Sequence, residues 1–195
     1  MTSSKASDRR NQILEVATRL FSERGYAATS LEDIAEEIGF TKPAIYYYFK
    51  SKDEILFHIH DRIVQEGLAQ IRAIRAQGGS PSQQLEQVLR EHMRRLLANV
   101  EANLVFAREQ AALPADKAAL INQQDRRYEE EVREIYREGV KAGVFVDIDP
   151  RVAVGSLLAA CNWAYRWYRP GGAYRVDDVA DMIVNLLRHG YERAG

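Results

Sequence analysis

Three consecutive tyrosines at positions 46–48 stand between Lys42 on one side and Lys50 and Lys52 on the other. Tyrosine hydroxyls donate hydrogen bonds to phosphate oxygens, and tyrosine rings make apolar contacts with the methyl group of thymine. Lysine ammonium groups are attracted to the phosphates of a duplex whatever its base sequence. These residue types in this order indicate a surface that binds DNA. The alternative is that the tyrosines pack against a neighbouring helix and the lysines are solvated.

These side chains act together only if a helix presents them on one surface. Ile45 and Phe49 are four residues apart, which predicts a short helix over 42–50 with these two side chains as its buried face. At least two of the three tyrosines must then be exposed. Pro43 suits the first turn of such a helix, where its missing N–H needs no partner.

Two further helices are predicted before this one. The first runs from about Ser7 to Arg24 and carries an apolar stripe at helical spacing. A short helix follows, opened by a capping box of Thr29 and Glu32 and closed by Gly39. A supporting helix followed by two short helices with a glycine turn between them is the outline of a helix-turn-helix.

Residues 8–57 carry apolar, aromatic, hydroxyl and glycine residues at a characteristic spacing. The positions are Ile13, Leu14, Ala17, Leu20, Phe21, Gly25, Tyr26, Thr29, Ser30, Ile34, Ala35, Ile38, Gly39, Tyr46, Phe49, Lys52, Ile55 and Leu56. This pattern resembles the DNA-binding domain of the TetR family of transcriptional regulators, and the stretch shows no departure from it. The resemblance implies a homodimer bound to a pseudo-palindromic operator in double-stranded DNA.

The resemblance also implies roles for individual residues. Those expected to enter the major groove are Thr41, Lys42, Pro43, Ala44, Tyr47 and Tyr48. Those expected to hold backbone phosphates are Thr29, Ser30, Tyr46 and Lys52. Hydroxyls at the start of a helix fit the second role, because the positive end of the helix dipole attracts anions.

The rest of the chain is also predicted to be helical, giving an all-α protein of about nine helices, because proline and glycine are sparse and hairpin turns are missing. Residues 1–50 are expected to form the helix-turn-helix DNA-binding domain, and residues 51–195 a helical-bundle ligand-binding and dimerisation domain. Ser51, with Glu54 three residues on, is expected to cap a helix that runs to about Gln77. Later helices are expected at about 82–99, 102–113, 116–142, 150–169 and 176–193.

The last two predicted helices have extended apolar patterns. Residues 150–169 leave no continuous polar face, so we expect them to be buried on two sides. The final helix has an apolar stripe that consists of Val176, Val179, Ile183, Leu186, Leu187 and Tyr191. The stripe fits an intrachain core and a four-helix bundle between two chains equally well. The family resemblance favours a homodimer formed through these two helices.

A site for a small hydrophobic effector is expected in the carboxy-terminal part of the chain. The candidates combine apolar walls with a few polar anchors: Met93, Leu96, Phe106, Tyr128, Tyr136, Asn162, Trp163 and Arg166. Each could instead belong to an ordinary core. Segment 166–172 resembles a string in TetR regulators that sense acyl-CoA thioesters, which implies that Arg166 or Arg169 meets the CoA and that Trp163 walls the acyl pocket. A free aromatic or hydrophobic molecule is the alternative effector.

Catalysis, metal binding and cofactor binding find no support in the sequence. His58 and His60 are two residues apart on a helix, so they point about 200° apart and cannot share a metal ion. Cys161 lies in an apolar segment without a basic neighbour, as is typical of a small core residue. Glycine-rich phosphate loops, nucleophile elbows and zinc-binding helix motifs are missing. We therefore expect no enzyme activity, cofactor or metal.

Composition limits the remaining possibilities. The chain has 195 residues, 27 Lys and Arg, 28 Asp and Glu, and one cysteine. A single cysteine excludes an intrachain disulfide, and every apolar stretch is too short to span a bilayer, so we expect a soluble cytoplasmic protein without a membrane partner. A net charge of −1 does not by itself indicate a nucleic-acid partner. The competing hypothesis is a helical ligand-binding or scaffold protein whose helix-turn-helix contacts a protein partner.

Overall fold

The computed structural model describes residues 2–191, and these residues form nine α-helices, two short 3₁₀ helices and no β-strand. The α-helices are α1 (Thr2–Arg24), α2 (Leu31–Ile38), α3 (Lys42–Tyr48), α4 (Lys52–Gln77), α5 (Pro81–Ala98), α6 (Val100–Glu109), α7 (Ala115–Lys141), α8 (Pro150–Asn162) and α9 (Val176–Tyr191). The 3₁₀ helices are Gln110–Ala112 and Trp163–Arg166. The predicted all-α class is confirmed for this part of the chain. Within it, no helix is long and apolar enough to cross a membrane.

The largest differences from the predicted helix boundaries are at the start of the first helix and at the end of the helix expected over 150–169. α1 begins at Thr2 rather than near Ser7, because the first turns carry Ala6 alone as an apolar residue and one residue makes no periodic pattern. The helix expected over 150–169 ends at Asn162 and continues only as a 3₁₀ helix. Pro170 lacks an N–H and disfavours helical backbone at the residue before it, so the chain leaves the helix in advance.

Contacts divide the described residues into two compact units. The first comprises the residues up to 62 together with 101–122, and the second comprises 63–100 together with those from 123 onward. α4 is a continuous helix whose residues belong partly to the first unit and partly to the second. The functional division at residues 50 and 51 is a separate matter and stays a prediction.

The first unit contains a small apolar core formed by its amino-terminal helices. α1 packs on α2, and α2 packs on α3. The core side chains are Ile13, Ala17, Leu20, Phe21, Leu31, Ile34, Ala35, Ile45 and Phe49. Burial stabilises by roughly 1.5–3 kcal/mol for each large side chain. This core therefore holds α3, a helix too short to be stable alone.

In the second unit, α5 packs on α8 and α9. Phe145, in the loop after α7, is fully buried and stacks on Tyr136 with ring centroids 5.3 Å apart. A Cβ added at Gly139 of α7 would overlap the Phe145 ring, so glycine at this position lets the loop pack against the helix. The loop therefore packs inward through Phe145.

Candidate nucleic-acid interface and effector site

α2 begins one residue later than the sequence predicts. The Ser30 hydroxyl accepts the Asp33 N–H at 3.0 Å, and the Asp33 carboxylate accepts the Ser30 N–H at 2.7 Å. The capping box predicted for Thr29 and Glu32 is therefore wrong. Hydrogen bonds from the Ser30 hydroxyl and N–H hold the pKa of Asp33 below its ordinary value.

Thr29 is a structural residue of the loop between α1 and α2. Its side chain is 1% exposed, and its hydroxyl donates to the Gly25 carbonyl at 2.9 Å. The Thr29 hydroxyl is therefore engaged within the loop in the free protein. The phosphate contacts predicted for Thr29 and for the half-buried Ser30 stay predictions.

A tight turn connects α2 to α3. Gly39 has a φ of 76°, in the left-handed region that glycine adopts without steric cost. The Phe40 N–H that follows donates to the Ala35 carbonyl at 2.7 Å. The turn therefore fixes the direction in which α3 leaves α2.

The exposed side of α3 carries the residues predicted for the major groove. Tyr47 is 77% exposed, and the Tyr48 ring meets it edge-on with centroids 5.1 Å apart. The exposed or half-buried members of this surface are Thr41, Lys42, Pro43, Ala44, Tyr47 and Tyr48. Ile45 and Phe49 are fully buried behind them, as predicted. The structure thus brings these residues together, and their contacts with DNA stay a prediction.

Glu32 of α2 binds two side chains of the predicted DNA surface. The Lys42 ammonium lies 2.6 Å from the Glu32 carboxylate, and the Tyr46 hydroxyl donates to the same oxygen at 3.2 Å. The hydrogen bond from Lys42 is the main cause that lowers the pKa of Glu32, and it raises the pKa of Lys42. Sequence reasoning missed this role of Glu32, because no local spacing relates α2 to α3.

Lys52 is held by the loop between α1 and α2. Its ammonium group donates to the Tyr26 carbonyl at 2.6 Å and to the Ala27 carbonyl at 3.3 Å, and lies 4.6 Å from the centroid of the Tyr26 ring. Burial and a hydrogen bond to Asp53 raise the pKa of Tyr26. These contacts place a cation at a fixed position at the start of α4.

The carboxyl end of α3 is fixed by two cations. The Arg10 guanidinium donates to the Tyr48 carbonyl at 3.4 Å and lies 4.6 Å from the centroid of the Phe49 ring. The Lys50 ammonium donates to the Tyr46 carbonyl at 2.5 Å. Cations stabilise the negative end of a helix dipole. Arg10 was not among the predicted site residues, since its contact spans 38 residues of sequence.

In the second unit, a polar network connects α5, α7 and α8. His92 Nδ1 lies 3.0 Å from the Tyr128 hydroxyl, and His92 Nε2 lies 2.8 Å from Asn162 Oδ1. Arg95 donates to the Tyr128 hydroxyl at 3.1 Å and also to Gln70 of α4. Tyr128 and Asn162, two predicted effector-site residues, are therefore brought together through His92.

The hydrogen bonds of this network define the state of His92. Asn162 Oδ1 only accepts, so His92 Nε2 carries the proton and Nδ1 accepts from the Tyr128 hydroxyl. Burial, assisted by the positive charge of Arg95, lowers the pKa of His92 to about 4. His92 is therefore neutral at physiological pH.

Tyr136 lines a different site in the second unit. Its hydroxyl donates to the Val146 carbonyl at 2.8 Å, and its ring borders a cavity of about 200 Å³. The other lining residues are Val146, Ile148, Ala153, Ser156, Leu157 and Leu187. Tyr136 thus belongs to an apolar cavity that does not include the other predicted effector-site residues.

The remaining predicted effector-site residues lie in different surroundings. Met93 and Leu96 are buried on α5. Phe106 belongs to the first unit, where it stacks on His60 with centroids 4.0 Å apart. Trp163 is 61% exposed, with the Arg166 guanidinium 4.5 Å from its ring. The structure thus describes these residues in separate surroundings, and their contact with an effector stays a prediction.

Large apolar side chains are exposed along α8, α9 and the segment between them. α8 buries Val154, Leu158 and Cys161, so within one chain it is covered on one side rather than two. The exposed residues are Val152, Trp163, Trp167, Tyr174, Met182 and Leu186. The α9 stripe divides between a buried Val179 and an exposed Leu186, and the side chain of Tyr191 lies outside the described residues.

His58 and Cys161, considered above as a metal ligand and a nucleophile, lie in surroundings typical of residues that support the fold. His58 lies between Glu54 and Asp61 on α4, and burial lowers its pKa. No cluster of three potential metal ligands occurs among the described residues. Cys161 is fully buried and its pKa is raised to about 12 by burial, which agrees with a core residue.

Two family models match this chain. The model for bacterial regulatory proteins of the tetR family matches residues 13–59, and the model for the tetracyclin repressor-like C-terminal domain matches residues 78–191. The chain belongs to the TetR family and is a helix-turn-helix transcriptional regulator. Regulators of this family bind operator DNA, dimerise and bind small-molecule effectors.

Individual relatives agree with this assignment. The HTH-type transcriptional repressor KstR2 of Rhodococcus jostii is 31% identical over 186 residues, which are 94% of this chain and 91% of that protein. The crystal structure of a TetR/AcrR regulator from Thermobifida fusca is 48% identical with a TM-score of 0.77, covering 95% of this chain and 100% of that one. The crystal structure of AibR in complex with isovaleryl coenzyme A and operator DNA is 26% identical with a TM-score of 0.75, covering 91% and 97%.

Replacing Tyr47 or Lys52 should separate base contacts from phosphate contacts. We expect Tyr47→Ala to weaken operator binding by about 1–3 kcal/mol and to relax the sequence preference, because an exposed ring at the groove is lost. Lys52→Ala should weaken binding to every sequence and reduce the slope of log affinity against log salt by about 1. Fluorescence anisotropy with a labelled duplex measures both.

Leu120→Ala, which removes a leucine that is 45% exposed on α7, is the matched control for Tyr47→Ala. It should bind DNA like the wild type. Operator binding that is unchanged in both the Tyr47 and the Lys52 variants would contradict the assignment of this surface.

His92 should make stability depend on pH in a defined window. Its pKa is about 4 in the folded protein and about 6.5 when unfolded, so the unfolded state binds more protons between these values. The free energy of unfolding should therefore fall by up to about 3 kcal/mol between pH 6.5 and 4 because of this residue. The free energy of unfolding, measured with urea for wild type and His92→Gln and plotted against pH, should give curves that are parallel above pH 7 and converge below it. Curves with equal slopes between pH 6.5 and 4 would disprove the effect.

Proposed function

We propose that this protein represses transcription as a homodimer on a pseudo-palindromic operator and is released from it by an acyl-CoA thioester. The observation that carries the proposal is the apolar surface that α8 and α9 leave exposed within one chain. Several large apolar side chains exposed on neighbouring elements are typical of an interface with another protein. DNA binding itself follows from the family and needs no further support.

The apolar surface supports an interface between two copies of the chain. Leu186 is 75% exposed and Met182 is 50% exposed on α9, while Val152 is 60% exposed on α8. Small residues at 155, 159 and 160 lie on the exposed side of α8, which favours close approach of a second helix. Pairing α8 and α9 with their symmetry mates would form a four-helix bundle and bury these side chains.

Dimerisation would give the DNA surface its operator specificity. Two α3 helices must lie about 34 Å apart to enter successive major grooves on one side of a duplex. A two-fold axis through the α8–α9 surface would impose matching half-sites, which is the physical basis of a pseudo-palindromic operator. In this scheme residues 1–50 bind DNA, and residues 51–195 hold the effector and the dimer together.

The effector class is supported by sequence and by a relative. AibR, whose crystal structure contains isovaleryl coenzyme A and operator DNA, matches nearly the whole chain. In this chain the exposed Arg166 lies over Trp163, a pairing that offers a cation and an aromatic face to an acyl-CoA. A ligand that displaces α4 by a few ångströms would alter both units, since one helix supplies residues to each.

Leu186→Glu should disrupt the homodimer, because it buries a charge at the centre of an apolar surface. We expect sedimentation equilibrium to give the mass of a monomer, and operator affinity to fall with it. Leu120→Glu, which changes an exposed leucine of α7 in the first unit, is the matched control and should leave the mass unchanged. A dimer that survives Leu186→Glu intact would contradict the proposed interface.

Isovaleryl coenzyme A should release the protein from a duplex that contains the upstream region of its own gene. The expected result is a fall in fluorescence anisotropy with the thioester and none with coenzyme A or isovalerate alone. Release by free aromatic compounds, with no effect of any CoA thioester in a panel of chain lengths, would overturn the proposed effector class while leaving the regulator itself in place.

A further inference from the structure

Arg95 of α5 is a buried cation without an anionic partner. Its side chain is 9% exposed, and its hydrogen-bond partners are Gln70, His92 and the Tyr128 hydroxyl, all neutral groups. Among residues 2–191, no carboxylate forms an ion pair with it, whereas the neighbouring Arg94 pairs with Glu91 and Asp177. Arg94 is therefore neutralised by carboxylates, whereas the positive charge of Arg95 is not.

An unpaired buried charge is unfavourable for folding. A guanidinium carries five N–H donors, and three neutral acceptors leave both the charge and some donors unmatched. Removing a cation from water without a counter-charge costs more than its hydrogen bonds return, and an apolar side chain of similar volume often serves stability better. A purely structural role therefore accounts poorly for arginine at this position.

The surrounding helices make room for this guanidinium. A Cβ added at Gly67 of α4 would lie 2.7 Å from the Arg95 Nη2 and 2.8 Å from Tyr128 Cε2. Glycine is unfavourable within a helix, so its presence here matches a requirement for close approach. Arg95 and the Tyr128 ring thus lie directly against the backbone of α4.

The network also connects Arg95 to the surface. His92 is partly exposed, and Asn162, its partner on α8, is exposed. Arg95 donates to His92 and to the Tyr128 hydroxyl, two neutral acceptors that a ligand oxygen can replace one for one. Neutral His92 adds no second positive charge, so an incoming anion would meet a single cation at the inner end of the network.

We propose that Arg95 is the anchor for an anionic oxygen group of the effector, a carboxylate or a phosphate, which replaces the Tyr128 hydroxyl and His92 as its hydrogen-bond acceptors. The planar guanidinium fits either group through two parallel hydrogen bonds. Pairing would draw Arg95 away from Gln70 and Gly67, so that the anion changes the contacts of α4. The proposal rests on the proposed function only in calling the ligand an effector.

Thermal unfolding of the full chain with defined probes tests the anchor without DNA. Decanoate, its neutral analogue decanol, coenzyme A and inorganic phosphate are each added to wild type, Arg95→Met and Arg94→Met. We expect decanoate to raise the unfolding midpoint if the anchor takes a carboxylate, and coenzyme A or phosphate to raise it if the anchor takes a phosphate. The increase should disappear in Arg95→Met, with affinity about 30-fold weaker or more, and persist in Arg94→Met.

Three results would overturn the proposal. Equal stabilisation by decanol and decanoate, with none by coenzyme A or phosphate, would show that charge is not recognised. An increase that survives Arg95→Met would place the anion elsewhere. If none of the anions raised the unfolding midpoint of the wild type, the proposal would also be overturned. Arg95→Lys, which keeps the charge without the planar group, should retain part of the increase.

The ligand-free variants give a second measurement. Arg95→Met should unfold at the same temperature as the wild type or higher, because it removes an uncompensated charge. A midpoint lower than that of Arg94→Met would assign Arg95 a structural role and contradict the anchor. Failure of isovaleryl coenzyme A to release DNA, together with anion stabilisation that depends on Arg95, would reject the proposed thioester and retain the anchor.

Discussion

A helix of two turns is not stable alone in water, so the predicted DNA surface of this protein depends on the burial of Ile45 and Phe49. These two side chains attach α3 to the core formed by α1 and α2. Truncating either would cost on the order of 2–5 kcal/mol, a large part of the stability of a small domain. Gly39 and Arg10 then set the direction and the end of the helix, so that exposed tyrosines stand on a rigid support.

Short-range patterns predicted most of this unit. The i, i+4 pair of Ile45 and Phe49 located the buried face of α3, and Gly39 located the turn. The capping box was misplaced because Thr29 and Ser30 are adjacent hydroxyls, each with an acid three residues later. Only the tertiary burial of Thr29 decides between them, and no local pattern contains that information.

The effector side was less predictable for a related physical reason. The sequence favours apolar and aromatic candidates, whereas the structure joins Tyr128 and Asn162 through a polar network centred on His92 and Arg95. Those residues come from helices that are far apart in the chain, so the periodicity of apolar residues cannot predict their contact. The one local signal is Gly67, a glycine within a long helix, which marks a close approach without naming the partner.

Glu32 has a consequence for how this surface meets a polyanion. In the free protein its carboxylate already binds the Lys42 ammonium, which is predicted to enter the major groove, and the Tyr46 hydroxyl, which is predicted to hold a phosphate. Contact with DNA is then an exchange of one anionic partner for another rather than the neutralisation of a bare cation. The lysines of the free protein therefore bind fewer counterions, and fewer ions are released when the complex with DNA forms. The number of lysines on such a surface therefore overestimates its nonspecific affinity for DNA. Selectivity depends more on contacts in the major groove, which no carboxylate of the protein replaces.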